Sequence, residues 1–265
     1  MIALLAPLFA GALAPLGERL QCADAPPPGA VRVADLVASP ALLREVLDRH
    51  ARYRGVAGND LRAVASAWVL DYAEVLLPPV VAAASALHHV FPVSADSIWL
   101  QTDRGGNPVC FHIRQTGVAR PGADTAERYA PLLEGHLAPL FQALVRLTRV
   151  APKILWGNTS RNLEPILDQV LAATGGAAPI TEDKAHLLGE PAWPTCDGQA
   201  LRDNPLFGRQ REVREIFEEK PVSFRLHRQC CLYYLLPHET HCNACPLSPA
   251  HRKGEEESEL EQPSA

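Results

Sequence analysis

The chain has no excess of positive charge. Its 25 lysines and arginines are outnumbered by 30 acidic residues, giving a formal net charge of −5 and a pI near 6.1. Such a balance supplies no basic field for a nucleic acid backbone or an anionic membrane, so a nucleic acid partner is not expected. Cysteine is also scarce, at seven in 265 residues. A secreted disulfide scaffold is shorter and more evenly studded with an even number of cysteines, so a reducing, cytoplasmic setting is expected. No Gly-x-Gly-x-x-Gly fingerprint or other nicotinamide or flavin motif occurs, and no internal repeat is visible. The apolar opening Met1–Gly17 has no basic n-region, carries its first charge at Glu18 and is broken by Pro7 and Pro15. It does not read as a signal peptide and is too short to span a bilayer. A buried or amphipathic first helix is expected, with no transmembrane segment, leaving peripheral association with the inner membrane open.

What is present suits a packed interior. Apolar residues make up 47% and charged residues 21%, ordinary globular usage for one large domain or one domain with a small appendage. Ala25–Gly29 is a stiff break, and Ser39-Pro40 reads as an N-cap followed by a first-turn proline. A long apolar helix is expected from Asn59 to just before Pro78-Pro79, then an alanine-rich helix over Val80–His89, with both in the core. Ser97–Arg114 alternates around Asp103-Arg-Gly-Gly-Asn107 and predicts a β-hairpin. Helices are expected over Thr125–Val150 and over Arg209–Glu219, and after Pro152 the stretch Lys153–Ser160 reads as a strand-to-helix turn into another helix running to about Ala173. Thr174–Ala178 and Glu190–Gly198 read as loops, and Phe224–Arg228 as extended. After Pro246 the run Glu255-Glu-Glu-Ser-Glu-Leu-Glu reads as a solvated tail. The expected class is α+β, a mainly helical domain with short β-hairpin elements and a small C-terminal cysteine-bearing segment.

Four of the seven cysteines fall within sixteen residues, as an adjacent pair, Cys230-Cys231, followed ten residues later by Cys242-x-x-Cys245. Cys22, Cys110 and Cys196 are scattered and read as incidental thiols. Four thiolates complete the ligand set of one metal centre. Spacing leaves structural zinc and an iron–sulfur cluster open. Side chains of neighbouring residues in extended backbone point to opposite faces, so two consecutive thiolates converge poorly on one small ion. Sulfur-only ligation suits either centre. A disulfide between sequence neighbours is strained and leaves Cys242 and Cys245 unexplained. His238 and His241 flank the second pair and read as exposed loop residues.

Cys-Cys, ten residues, then Cys-x-x-Cys, with a preceding arginine and with tyrosine and leucines in the loop, resembles the signature of the FhuF-type ferric-siderophore reductases. Leu155-Trp156-Gly157-Asn158 ahead of a helix and the opening Leu5-Ala-Pro-Leu-Phe9 are similar to further segments of that family. The resemblance implies that Cys230, Cys231, Cys242 and Cys245 ligate a 2Fe–2S cluster. It implies a cytoplasmic enzyme that reduces chelated Fe³⁺ to Fe²⁺ and so releases iron from siderophores, often of hydroxamate type. It also implies residues 1–222 as the ferric-siderophore-recognition domain, 223–250 as the 2Fe–2S segment and 251–265 as an acidic tail. Without a dinucleotide motif, electrons are expected from a separate ferredoxin-like or flavin-dependent partner. Candidate substrate-binding residues are Trp156 and Asn158, alternatively a core aromatic and a helix N-cap (Asn158 or Ser160), and Arg225, His227 and Arg228, alternatively a solvated strand edge. A non-redox siderophore-binding or scaffold protein with structural zinc is the competing class. Siderophore synthetases carry a domain similar to this family's, but the chain is too short for their nucleotide-binding half.

Overall fold

The computed structural model describes residues 1–194, 200–217 and 220–251. The N-terminus forms two short 3₁₀ turns and helix α1 (Ala14–Gly17) in place of one amphipathic helix. Pro7 and Pro15 interrupt the helical ladder, while Ile2, Leu5 and Phe9 still reach the core. Strand β1 (Leu20–Cys22), strand β2 (Val31–Arg32), helix α2 (Val33–Ala38) and helix α3 (Pro40–Tyr53) follow. Ser39 caps α3 by accepting from the Leu42 N–H at 3.2 Å, with Pro40 at the first position.

Helix α4 runs unbroken through Arg62–Ala86, with Pro78 and Pro79 inside it. This corrects the expected two-helix reading. Pro78 cannot donate to the Glu74 carbonyl, and the Arg19 guanidinium donates to that carbonyl instead, at 2.7 Å. The break the prolines would impose is thus repaired from outside the helix. Among the described residues α4 is the one helix long and apolar enough to cross a membrane, but 78% of its apolar window is buried inside the fold. Its apolar faces are spent on Trp68, Tyr72, Leu76 and Leu77 in the core.

After β3 (His89–Val90), the expected hairpin forms as β4 (Ile98–Thr102) and β5 (Pro108–Ile113). Its turn is held by Asp103, whose carboxylate accepts from the Asn107 backbone N–H at 2.9 Å and its side-chain amide at 2.8 Å. Gly106, at φ +78°, lies so close to α3 that a Cβ would meet the Val46 carbonyl at 2.7 Å. β1, β5, β4 and β2 form one sheet in that order, with β1 parallel to β5 and the other pairs antiparallel. α4 packs on this sheet and on the later helix Pro152–Ala173. Strand β6 (Val118–Ala119) pairs with β3.

The expected helix from Thr125 is α5 (Thr125–Leu132), a π turn over Leu133–Leu137 and α6 (Ala138–Thr148). α7 (Pro152–Ala173) and α8 (Ala178–Lys184) complete the helical part. Glu190–Gly198, expected as loop, contains β7 (Ala192–Pro194), paired with β8 (Leu201–Asp203). Residues 195–198 of that segment, Cys196 among them, lie outside the described residues, as do residues 252–265 of the expected tail.

The expected helix over Arg209–Glu219 is instead β9 (Glu212–Phe217), paired antiparallel with β10 (Lys220–Arg225). The charged run reads as a helix in isolation. The hairpin prevails because Val213 pairs with Phe224 and Glu212 with Arg225 across it, and β-branched and aromatic residues favour that ladder.

Two core histidines make the fold acid-sensitive. His50 is fully buried, with Nδ1 2.9 Å from Asn107 Oδ1, and burial followed by the Arg54 charge pushes its pKa down to about 4. His136 is fully buried between the Tyr72 hydroxyl and the Val93 carbonyl, and burial lowers its pKa to about 4. Both are depressed from 6.5, so the stability from keeping them neutral is complete above about pH 6.5 and is lost as pH falls toward 4. Two such protons set a slope of up to about 2.7 kcal/mol per pH unit in that window. Urea midpoints measured from pH 7 to 4.5 should fall steeply. The fall should flatten in a His50→Gln variant.

Candidate metal centre

Strand β10 delivers the chain to the cysteines. The Leu226 N–H donates to the Arg211 carbonyl at 2.9 Å and the His227 N–H to the Ala244 carbonyl at 2.8 Å, tying the stretch before Cys230 to the Cys242–Cys245 turn. That turn closes through the Cys245 N–H to the Cys242 carbonyl at 3.0 Å. Leu232 takes a left-handed backbone at φ +58° directly after the adjacent pair and opens a 3₁₀ turn, Tyr233–Leu235. This reversal carries the chain back from Cys231 toward Cys242.

Cys230, Cys231 and Cys245 are buried, Cys242 is half-buried, and all four are free thiols. Cys230 and Cys245 approach to 3.7 Å between sulfurs. Two sulfurs at tetrahedral corners about 2.3 Å from one metal lie about 3.8 Å apart, so this pair already has the spacing of two ligands on a common ion. Among the described residues no three His, Cys, Asp or Glu side chains are gathered to hold one metal ion. Cys230 and Cys245 are the pair whose sulfurs meet.

Burial pushes the Cys230 thiol up to about 12, the Cys245 and Cys231 sulfurs push the same way, and the Leu232 N–H opposes them. Burial also raises Cys242, with Arg161 opposing and Cys231 and Cys245 adding to it. Crowded, dry thiols resist ionisation until a cation neutralises them. A metal taken up at these two would therefore expel protons and bind more strongly as pH rises.

The loop is pinned to the core by residues distant in sequence. Ser66 on α4 donates its hydroxyl to the Cys231 carbonyl at 2.6 Å. Asn158 on α7, only 1% exposed, donates to both the Ser66 carbonyl and its hydroxyl oxygen at 2.9 Å. Arg54 holds the Tyr233 hydroxyl at 2.7 Å and is itself held by Asp71 at 2.8 Å. Gly157 lets the loop come down onto α7, since a Cβ there would meet Gln229 Cβ at 2.6 Å. Gly157→Val should push Gln229, and with it Cys230, off the helix. Lower metal content at retained helicity, by elemental analysis and circular dichroism, checks this.

The structure corrects the strand-to-helix turn expected at Trp156-Gly157-Asn158. α7 begins at Pro152, so all three lie inside the helix and Asn158 is no N-cap. Pro152 starts the helix earlier because its missing N–H costs nothing in the first turn. Trp156 packs edge-on against Phe141 with centroids 4.9 Å apart. Asn158 is sealed beneath the cysteine loop. Arg228 pairs with Glu164 at 2.8 Å, and Arg225, largely exposed, lies 3.7 Å from the same carboxylate. Burial, then the Arg161 charge, lowers the His227 pKa to about 4, leaving that ring uncharged near neutral pH. His241 stacks on Tyr234 at 4.1 Å.

Sequence reasoning missed Arg161, whose guanidinium lies 3.6 Å from the Cys231 sulfur. It sits three residues after Asn158 on the same helix and hence on the same face, a relation hidden while the helix start was placed too late. Arg161 and His227 line a cleft of about 600 Å³ together with Leu70, Cys231, Tyr233 and Cys242. A smaller cleft of about 270 Å³ lies alongside, between Gly157, Arg161, Glu164 and Arg228.

Three comparisons bear on this arrangement. A curated protein of Escherichia coli (strain K12), ferric siderophore reductase, is 25% identical over 215 residues, covering 79% of this chain and 76% of that protein. The solved aerobactin synthetase IucA from a hypervirulent pathotype of Klebsiella pneumoniae superposes with a TM-score of 0.53 at 19% identity, over 68% of this chain and 38% of the synthetase. Its ATP-bound form gives the same TM-score over 37% of its length. At that identity the likeness is one of fold alone, to little more than a third of the larger protein. Residues 66–216 match the family described as ferric iron reductase FhuF-like transporter. That stretch runs from Ser66, which anchors the cysteine loop, through Asn158 and Arg161 to the hairpin leading into the cysteines. This chain belongs to the ferric iron reductase FhuF-like family.

Proposed function

We propose that this protein is a cytoplasmic ferric-siderophore reductase that delivers one electron to chelated Fe³⁺ from a 2Fe–2S cluster held by Cys230, Cys231, Cys242 and Cys245. One observation carries the proposal: four free thiols on one short stretch of chain, two of them with sulfurs 3.7 Å apart, which Ser66 and Asn158 fasten to the core of a FhuF-like fold. The E. coli relative's name supports the substrate class. The donor set fits the group, being sulfur only and largely buried, with Cys230 and Cys245 spaced for one metal corner and two further thiols beside them.

When bound, such a cluster accepts and donates electrons singly. The protein's own residues do the rest. Burial of Cys230, Cys231 and Cys245 keeps water from the ligands, and the Leu232 N–H, 3.4 Å from the Cys230 sulfur, donates to it. The open cleft leaves Cys231 and Cys242 within reach of a bound chelate. Fe³⁺ in a siderophore, of hydroxamate type in this proposal, gains one electron and becomes Fe²⁺. Hard anionic oxygens hold the lower charge more weakly, and the metal is released. A separate ferredoxin-like or flavin-dependent donor restores the electron. Residues 1–222 then serve chelate recognition and 223–250 hold the cluster, with peripheral contact to the inner membrane compatible with the scheme.

Anaerobic mixing of dithionite-reduced protein with ferric hydroxamates tests this. Reoxidation of the protein should track capture of Fe²⁺ by a ferrous chelator. Serine at any one of the four positions should weaken or abolish that reaction together with the visible colour, whereas Cys22→Ser, Cys110→Ser and Cys196→Ser should leave both intact. Full colour and turnover in Cys231→Ser would refute the assignment.

A further inference from the structure

The four cysteines are unequal in their surroundings. Cys230 and Cys245 lie 3.7 Å apart, both buried, and neither lines the large cleft. Cys231 and Cys242 both line it, and Cys242 is the least buried of the four. Arg161 reaches the Cys231 sulfur at 3.6 Å and lines the same cleft, so one cation faces a ligand on one side and the open space on the other. The nearby positive charges are placed differently. Arg228 and Arg225 are directed at Glu164, and Arg54 at Asp71 and Tyr233. Glu239 is the acidic residue on the cleft rim.

We propose that Cys230 and Cys245 hold one metal corner as the buried anchor, that Cys231 and Cys242 hold the other as the electron-exit corner, and that Arg161 is the positioning residue joining this exit corner to the anionic oxygens of a chelate in the cleft. This rests on the function proposed above. Two physical effects follow. A guanidinium beside a ligand sulfur favours the more negative, reduced state of the centre and so raises its potential. The same cation meets the chelate oxygens, whose complex becomes one charge more negative on taking the electron, and so it favours the acceptor side of the transfer as well. A planar fork can serve sulfur and oxygen at once, which an ammonium does less well.

The test measures midpoint potential and binding on the loaded full-length protein. Arg161→Gln keeps all four thiols and should lower the midpoint potential by about 59 mV, a tenfold shift for one electron. It should also weaken binding of a gallium(III) trishydroxamate, a redox-inert stand-in for the ferric complex, about tenfold. Arg161→Lys should recover most of the potential and only part of the binding. In single serine variants the electron paramagnetic resonance of the reduced centre should fall into two classes, Cys231 with Cys242 and Cys230 with Cys245. Where a serine variant loses the centre, Arg161→Gln decides. Unchanged potential and gallium binding in Arg161→Gln, or a grouping of Cys230 with Cys231, overturns the assignment. A wild-type protein that carries no iron–sulfur centre fails at the earlier proposal, a result told apart by its missing colour before any variant is made.

Discussion

Asp183→Asn should destabilise the fold by about 3–5 kcal/mol, the cost of leaving one partner of a buried ion pair alone, with a fall in Tm of about 10 °C for a chain of this size. Asp183 is fully buried and Arg128 only 4% exposed in its side chain, and they form an ion pair. The carboxylate also accepts from the Ser85 hydroxyl and the Thr125 hydroxyl, each at 2.6 Å. Ser85 in turn meets the Tyr129 hydroxyl at 2.6 Å. One carboxylate thus joins α4, α5 and α8. The amide keeps the shape but removes the charge that offsets Arg128, and its NH₂ faces donors. Removing both charges, as Arg128→Met with Asp183→Leu, should recover a large part of the loss, because apolar side chains carry no desolvation cost. Thermal and urea denaturation of the two variants checks this. Equal losses in the single and double variants would show that volume, not charge, governs the site.

Asn158→Leu has the larger functional effect. Its amide is the clasp between α7, Ser66 on α4 and, through Ser66, the Cys231 carbonyl. Leucine has nearly the same size but no donor, so the Ser66 carbonyl and hydroxyl lose a buried partner at about 1–3 kcal/mol. The loss falls on the contact that places Cys231. Metal content and visible absorption should therefore drop several-fold while circular dichroism stays helical. Asn158→Asp should fare no better, since a carboxylate at that depth adds an uncompensated charge. Undiminished metal content in Asn158→Leu would mean the cysteine loop holds its shape without the clasp.

Much of this was legible in the chain, for identifiable reasons. Ser39-Pro40 carries its own helix-start chemistry, and Asp103–Asn107 its own turn chemistry, so both elements form where expected. Four clustered cysteines announce a common site whatever the fold. The misplaced elements depend on partners far away in sequence. Pro78-Pro79 reads as a helix stop until Arg19 is seen to take the orphaned Glu74 carbonyl. Glu212–Phe217 reads as a helix until β10 is laid beside it. Trp156-Gly157-Asn158 was recognisable as a motif but not by its work. Gly157 and Asn158 matter because Gln229 and Ser66 lie against them, and no local pattern reports that. Arg161 shows the same limit, since its importance comes from a sulfur seventy residues away.

The most direct test of the central claim is the visible spectrum of protein purified without oxygen, recorded before and after dithionite, with metal and sulfide analysis of the same sample. The account predicts a brown protein whose absorption bleaches on reduction, with about two irons and two acid-labile sulfides per chain. A colourless protein holding about one zinc per chain, with no response to dithionite, would contradict it.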